Sequence, residues 1–78
     1  MTGLILFQRD DCHLCDLALA ELAKARAPEF ASVFIDGDDR LEQRYGARVP
    51  VLRDTRDGRE LEWPFDARRL AAWLDAGA

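Results

Sequence analysis

A chain of 78 residues, 49% hydrophobic and 33% charged, has the composition of a folded soluble protein and excludes a disordered one. Its 15 acidic and 11 basic side chains give a formal net charge of −4, so there is no basic footprint for a nucleic-acid backbone. At this length one core is all that fits, and residues 1–78 are expected to form one small domain of modest net stability.

The N-terminal stretch MTGLILFQRDD holds a short apolar run, Leu4 to Phe7, with no basic segment before it. It is too short for a signal peptide or a bilayer span, so the expectation is a cytoplasmic protein with no membrane partner. Apolar without alternation, LILF suits a strand buried on both faces. From Cys12 to about Ala27, CHLCDLALAELAKARA lacks β-branched residues, is rich in Ala and Leu, and precedes Pro28, which predicts a helix. At about 100° per residue, Leu14, Cys15, Ala18, Leu19, Leu22 and Ala25 share its apolar face. Cys15 should then face the core, with Cys12 at the edge of that face in the first turn.

Val33 to Asp36, VFID, reads as a second strand, and a strand, helix, strand order implies a right-handed parallel crossover. DDRLEQRYG offers Asp39 as an N-cap with Glu42 three residues on, and Gly46 as the stop of a short helix. VPVLRD follows as a third strand. An Asp57-Gly58 turn leads into a fourth, where Leu61 and Trp63 alternate with Glu60 and Glu62, giving an antiparallel hairpin. FDARRLAAWLDAG predicts a last helix with Asp66 at its N-cap and Leu70, Trp73 and Leu74 on one stripe. Both tryptophans are expected in the core. The fold expectation is α/β, in the order β-α-β-α-β-β-α, with a mixed four-stranded sheet flanked by three helices.

Within this frame DDCHLCD, residues 10 to 16, is where chemistry concentrates, because Cys12 and Cys15 are the only cysteines. Three readings compete: half a metal site, a structural staple, or a redox pair. A staple between residues so close would remove little unfolded-state entropy, and a reducing cytosol disfavours it. Zinc needs four ligands, whereas the chain supplies two cysteines and His13 between them, so no metal is expected without a second chain sharing cysteines. Asp36, Asp38 and Asp39 lack the ligand spacing of a calcium loop. The redox reading gains from position. At the start of a helix, unsatisfied N–H groups favour a thiolate, which makes Cys12 the attacking sulfur and the deeper Cys15 the resolving one. A protonated His13 would add to that stabilisation, while Asp10, Asp11 and Asp16 oppose it.

A strand followed by CHLC at a helix start, and later YGARVPVL entering the third strand, resembles the glutaredoxin-like branch of the thioredoxin-fold superfamily. The resemblance implies a thioredoxin-like fold along nearly the whole chain. It implies that Pro50 is a cis proline facing the redox pair, and that Val49 pairs with the backbone of an extended substrate. Typical glutathione-using members carry a lysine shortly before the first cysteine, an aromatic inside the C-x-x-C, a threonine before the Val-Pro, and a Gly-Gly pair leading to an Asp at the last helix. Here Asp10 and Asp11 precede Cys12, His13 and Leu14 lie inside the motif, Arg48 precedes Val49, and WPFD replaces the glycines, leaving Asp66 from the last motif. Arg9 or Arg48 could pair with glutathione's carboxylates, but an acidic rim works against an anionic ligand.

The expected function is a small thiol-disulfide oxidoreductase acting on protein or low-molecular-weight disulfides. Cys12 and Cys15 are its catalytic residues, and His13, Leu14, Arg48, Val49, Pro50 and Asp66 contact substrate. No cofactor is expected to bind tightly. Glutathione is a candidate reductant or co-substrate, and a thioredoxin-reductase-type system is the other candidate for recycling. The alternative from another class is a redox-inactive binding module that docks a partner protein through Leu14, Leu17 and Val49.

Overall fold

The computed structural model describes residues 3–77. Its elements are β1 (Leu4–Gln8), α1 (His13–Lys24), β2 (Phe30–Phe34), α2 (Asp39–Tyr45), β3 (Val51–Asp54), β4 (Glu60–Glu62) and α3 (Ala67–Ala76). The β-α-β-α-β-β-α order read from the sequence is therefore the order found. The strands form one mixed sheet in the order β2-β1-β3-β4, with β1 parallel to β2 and the other neighbours antiparallel.

Alternation along the central strand β1 divides the core in two, because successive side chains of a strand point to opposite faces. Leu4 and Leu6 pack with Ala18 and Leu22 of α1, Leu52 of β3, Leu61 of β4, Phe65 before α3 and Leu70 within it. Phe7 turns the other way and packs with Ile35, Tyr45 and Val51, with Ile5, Val33 and Leu41 partly buried beside them. Phe7 and Tyr45 stack with ring centroids 4.1 Å apart. Trp63 and Trp73 are only partly buried, packed at the margin of the first cluster. Arg59 lies 4.6 Å from the Trp73 ring, so a cation covers what the core does not.

Several boundaries differ from the sequence expectation, each for a local reason. The first helix starts at His13, with Cys12 in extended conformation as its N-cap, and ends at Lys24 rather than near Ala27. It stops early because Arg26 adopts φ +52°. The Arg26 N–H then donates to Ala23 O and the Ala27 N–H to Leu22 O, the paired bonds of a Schellman motif. Glycine is the usual residue at that left-handed position, and an arginine there leaves no stop signal in the sequence. Leu14, placed on the apolar face at the sequence level, is 45% exposed. It sits in the first turn at the far edge of the arc that buries Cys15, Ala18 and Leu22.

The second strand begins three residues earlier than VFID suggested and ends at Phe34. Its extent is set by parallel pairing with β1, from Leu4↔Phe30 to Gln8↔Phe34, so tertiary pairing overrides local propensity. Ile35 keeps one further bond, its N–H to Gln8 O at 2.8 Å, and is fully buried. The N-cap of α2 is Asp38, not Asp39; its Oδ1 accepts from the Leu41 N–H at 3.1 Å. Glu42 is thereby released from the capping box for a different task. Asp66 caps α3 as expected, accepting from the Arg69 N–H at 2.8 Å.

Candidate redox site

The topology delivers the sequence-marked residues to one end of the sheet. β1 ends at Gln8 where β3 begins at Val51, since the antiparallel register pairs Phe7 with Val51. The loop from Arg9 to Cys12 and the Val49-Pro50 turn therefore leave the sheet side by side. β4 also ends there, with Glu62 opposite Val51, and carries the chain toward Asp66.

Cys12 and Cys15 are joined as a disulfide, with Cα atoms 5.2 Å apart. That span lies inside the usual range for a disulfide, so the first turn of a helix brings the pair together without rearrangement. The Cys15 N–H donates to Cys12 Sγ at 3.1 Å. This is the N-cap bond usually made by a Ser or Asp oxygen, and it directs an otherwise orphaned helix donor at sulfur. Reduction would leave that donor aimed at a thiolate, the charged form that a helix start favours. The two cysteines are unequal in exposure: Cys15 is 1% exposed, whereas Cys12 is half-buried. His13 and Leu14, between them, are exposed.

The Val49-Pro50 peptide is cis, and Pro50 is buried. Trp63-Pro64 is also cis, which nothing in the sequence had marked. The Val49 N–H is already committed to Tyr45 O at 2.9 Å, beside the Arg48 N–H to the same oxygen at 2.8 Å. Of Val49's backbone groups, the carbonyl oxygen is the one left for an extended partner.

Arg48 does not reach out from this turn. Its Nε donates to Glu62 at 2.8 Å, its Nη2 to Glu60 at 2.7 Å, and its Nη1 to Arg44 O at 3.2 Å. Arg9 is likewise held, donating from Nη1 and Nη2 to the two oxygens of Glu42 at 2.8 and 2.6 Å and from Nη2 to Gly46 O at 3.0 Å. The fork-on-carboxylate pairing holds the Glu42 carboxyl below its ordinary range and ties the cysteine loop to α2. Gly46 is required at that junction, since a Cβ there would collide with the Glu42 carbonyl. A second tie joins Asp10 N–H to Asp36 Oδ1 at 2.8 Å. No sequence signal marked either clamp, because they join residues at least 26 apart in the chain.

Glu60 anchors the other side of the turn. Burial pushes its carboxyl up, but hydrogen bonds from Tyr45, Arg48 and Arg53 outweigh burial and bring its pKa to about 2. The Tyr45 hydroxyl donates to it at 2.6 Å, and burial followed by that bond raises the phenol. On the opposite face of the sheet the buried Asp54 accepts from the backbone and guanidinium of Arg56, and its pKa also falls to about 2. Both carboxyls start from higher values, 4.5 and 3.8, so each contributes stability that is complete above those values and is lost as pH falls toward 2. Unfolding free energy of the oxidised protein is therefore expected to be level above roughly pH 5 and to drop steeply below it. Glu60→Gln should cost about 1–3 kcal/mol at pH 7 and flatten part of the acid limb. Urea titrations between pH 2.5 and 7 test this, and the attribution fails if variant and parent lose stability in parallel on acidification.

Among the described residues no group of three or more His, Cys, Asp or Glu side chains is arranged to hold a metal ion. Nor is any described helix long and apolar enough to cross a membrane.

A C-x-x-C pair closed at a helix N-cap, on a sheet of this order beside a cis Val-Pro turn, places the molecule among thioredoxin-like proteins and supports a thiol-redox role. The chain belongs to the glutaredoxin-like domain family (DUF836), which it matches over residues 3–75. Among solved structures it is similar to structural genomics target XcR50 from X. campestris. The X-ray structure of that protein is 70% identical with a TM-score of 0.90, covering 94% of this chain and 96% of that one. Its solution structure is 68% identical with a TM-score of 0.89, covering 97% and 95%. Protein Ne2328 from Nitrosomonas europaea, solved by NMR, is 31% identical with a TM-score of 0.77, covering 94% and 91%. No curated protein matches the chain.

Proposed function

We propose that this protein is a thiol-disulfide oxidoreductase that reduces disulfides of proteins or small thiols in the cytoplasm. The observation that carries this reading is the Cys12-Cys15 pair, joined at the N-cap with Cys15 buried and Cys12 half-buried. In the reduced form the Cys12 thiolate attacks a substrate disulfide R–S–S–R′. A Cys12–S–S–R bond forms, and R′–S⁻ leaves to be protonated by solvent. Cys15, deprotonated in turn, attacks Cys12 Sγ; the intramolecular disulfide forms and R–S⁻ departs. Two electrons pass to the substrate, and an external dithiol system or glutathione restores the pair. No tightly bound cofactor is needed.

The Val49 carbonyl beside Pro50 accepts from the substrate backbone, while His13 and Leu14 contact the chain flanking its disulfide. Arg48, held by Glu60 and Glu62, and Asp66, spent on the α3 N-cap, serve the substrate path by fixing its walls rather than by binding charge. In this reading residues 1–78 act as one domain. A second reading, a docking module without redox turnover, is favoured by the exposure of Leu14 and Leu17, 45% and 41%. A partner pulldown that survives loss of both cysteines would support it.

The direct test is the fraction of Cys12-Cys15 disulfide, read by mass spectrometry after alkylation, across graded glutathione redox buffers at neutral pH. A sharp two-electron transition near the cytosolic glutathione poise, roughly −220 to −320 mV, is expected. Absence of the disulfide at every ratio would remove the redox reading.

A further inference from the structure

Carboxylates outnumber cations in the sequence around the two cysteines, where exposed His13 and the half-buried Arg9 are the basic side chains. Asp10, Asp11 and Asp16 flank the two cysteines in sequence and are exposed, and Asp36 Oδ1 accepts from the Asp10 N–H. Among the described residues none of these four carboxylates is in an ion pair. Arg9 and Arg48 are held by other carboxylates, although Arg9 still acts electrostatically on Asp36. Arg9 is bidentate on Glu42, and all three nitrogens of the Arg48 fork have acceptors in α2 and β4. Arg69 lines a cleft with Pro64, Phe65 and Asp66, so a carboxylate shares its surroundings too.

Apolar surface lies beside the acidic rim. Leu14 and Leu17, one turn apart on α1, are two of the three large hydrophobic side chains most exposed in the described chain. At the same end of the sheet as the cysteine loop, the Val49 carbonyl, to which no bond is found among the described residues, offers a single hydrogen bond to an extended peptide. A tripeptide thiol with net negative charge meets repulsion at Asp10, Asp11 and Asp16 and finds neither Arg9 nor Arg48 free. An extended polypeptide with Lys or Arg near its disulfide, and an aliphatic residue for Leu14 and Leu17, meets complementary charge and apolar contact together.

We infer that the site selects disulfides in basic, extended polypeptide segments and disfavours glutathione disulfide. This rests on the redox reading above and names its substrate class. Steering by unpaired rim charges acts chiefly on the encounter rate, so selectivity should appear in the second-order rate constant and fade with salt.

The test uses the reduced, desalted full chain in single turnover, so no recycling partner enters. Its probes are two synthetic peptides, each closed by one disulfide and sharing the same aliphatic residues, with three flanking lysines in one and three glutamates in the other, and oxidised glutathione. In each reaction the dithiol becomes the Cys12-Cys15 disulfide and the probe disulfide becomes two thiols, so quenched alkylation and mass spectrometry read both partners. The lysine peptide is expected to react at least about tenfold faster than the glutamate peptide at low ionic strength. That ratio should collapse toward one at about 0.5 M salt and in the triple variant Asp10→Asn, Asp11→Asn, Asp16→Asn. Asparagine is suited to the positive φ of Asp11, 54°, so the loop is preserved. Any effect of lost acid on Cys12 reactivity touches both peptides equally and cancels in the ratio. Equal rates for the two peptides, or oxidised glutathione outpacing the lysine peptide, would overturn the substrate class while leaving the oxidoreductase intact. Failure of all three probes to oxidise the protein would overturn both.

Discussion

Cys12→Ser lowers disulfide turnover to the uncatalysed background, whereas Cys15→Ser stops the cycle after one chemical step and accumulates a mixed disulfide on Cys12. The asymmetry follows from access and hydrogen bonding. Cys15 is 1% exposed at the start of α1 and cannot meet a bulky substrate sulfur directly. Cys12 is only half-buried and accepts the Cys15 N–H, a donor that stabilises its thiolate as the attacking group. A serine hydroxyl at position 12 is not ionised near neutral pH and does not open an S–S bond, so the residual sulfur at position 15 has no accessible route to substrate. In Cys15→Ser the first exchange proceeds but no thiol lies within reach of Cys12 Sγ, leaving escape only to external thiols. Alkylation-quenched mass spectrometry with a single-disulfide protein substrate separates the cases. Parent-like turnover by Cys12→Ser, or release of substrate from Cys15→Ser at the parent rate, would reverse or erase the assigned roles.

How far the sequence disclosed this arrangement depends on the range over which each signal acts. LILF, the Ala- and Leu-rich stretch after it and the Asp57-Gly58 turn are local patterns, and they gave the element order correctly. The cysteine pair was legible for the same reason, since a spacing of three at a helix start is a local geometric fact. The early end of α1 was not, because the left-handed position at Arg26 is set by hydrogen bonds to Ala23 and Leu22 and by packing of Ala27, not by a glycine. Phe30 to Ser32 read as no strand until β1 lay beside them to pair with. Arg48 looked free to bind an anion because Glu60 and Glu62, which occupy it, lie 12 and 14 residues away. Long-range polar pairing thus changed the reading of the substrate surface while leaving the reading of the cysteines untouched. Val49-Pro50 was marked only through its resemblance to a family motif; the residues alone gave a proline at the start of a strand.

Leu6→Ala is expected to remove about 2–5 kcal/mol of stability, a large share of the total for a chain of this length. Leu6 has no exposed surface and lies in the central strand, directly opposite Leu52, which is also fully buried. Around them Ala18 and Leu22 from α1 and Leu70 from α3 close the same cluster, so truncation leaves a cavity walled by three elements that cannot all collapse at once. The thermal midpoint should fall by roughly 8–40 °C, taking about 4–8 °C per kcal/mol for a domain of this size. Leu17→Ala supplies the contrast: the same atoms are removed from a side chain 41% exposed, and the change should stay within about 0.5 kcal/mol. Melts of the two variants by circular dichroism decide the matter, and equal midpoints would mean that the cluster around Leu6 does not organise the fold. The consequence reaches the chemistry because β1 connects the two halves of the site. Its register with β3 sets the cysteine loop beside Val49-Pro50, so loosening Leu6 against Leu52 should slow substrate reduction at temperatures where most of the chain is still folded, whereas Leu17→Ala should act on substrate encounter alone.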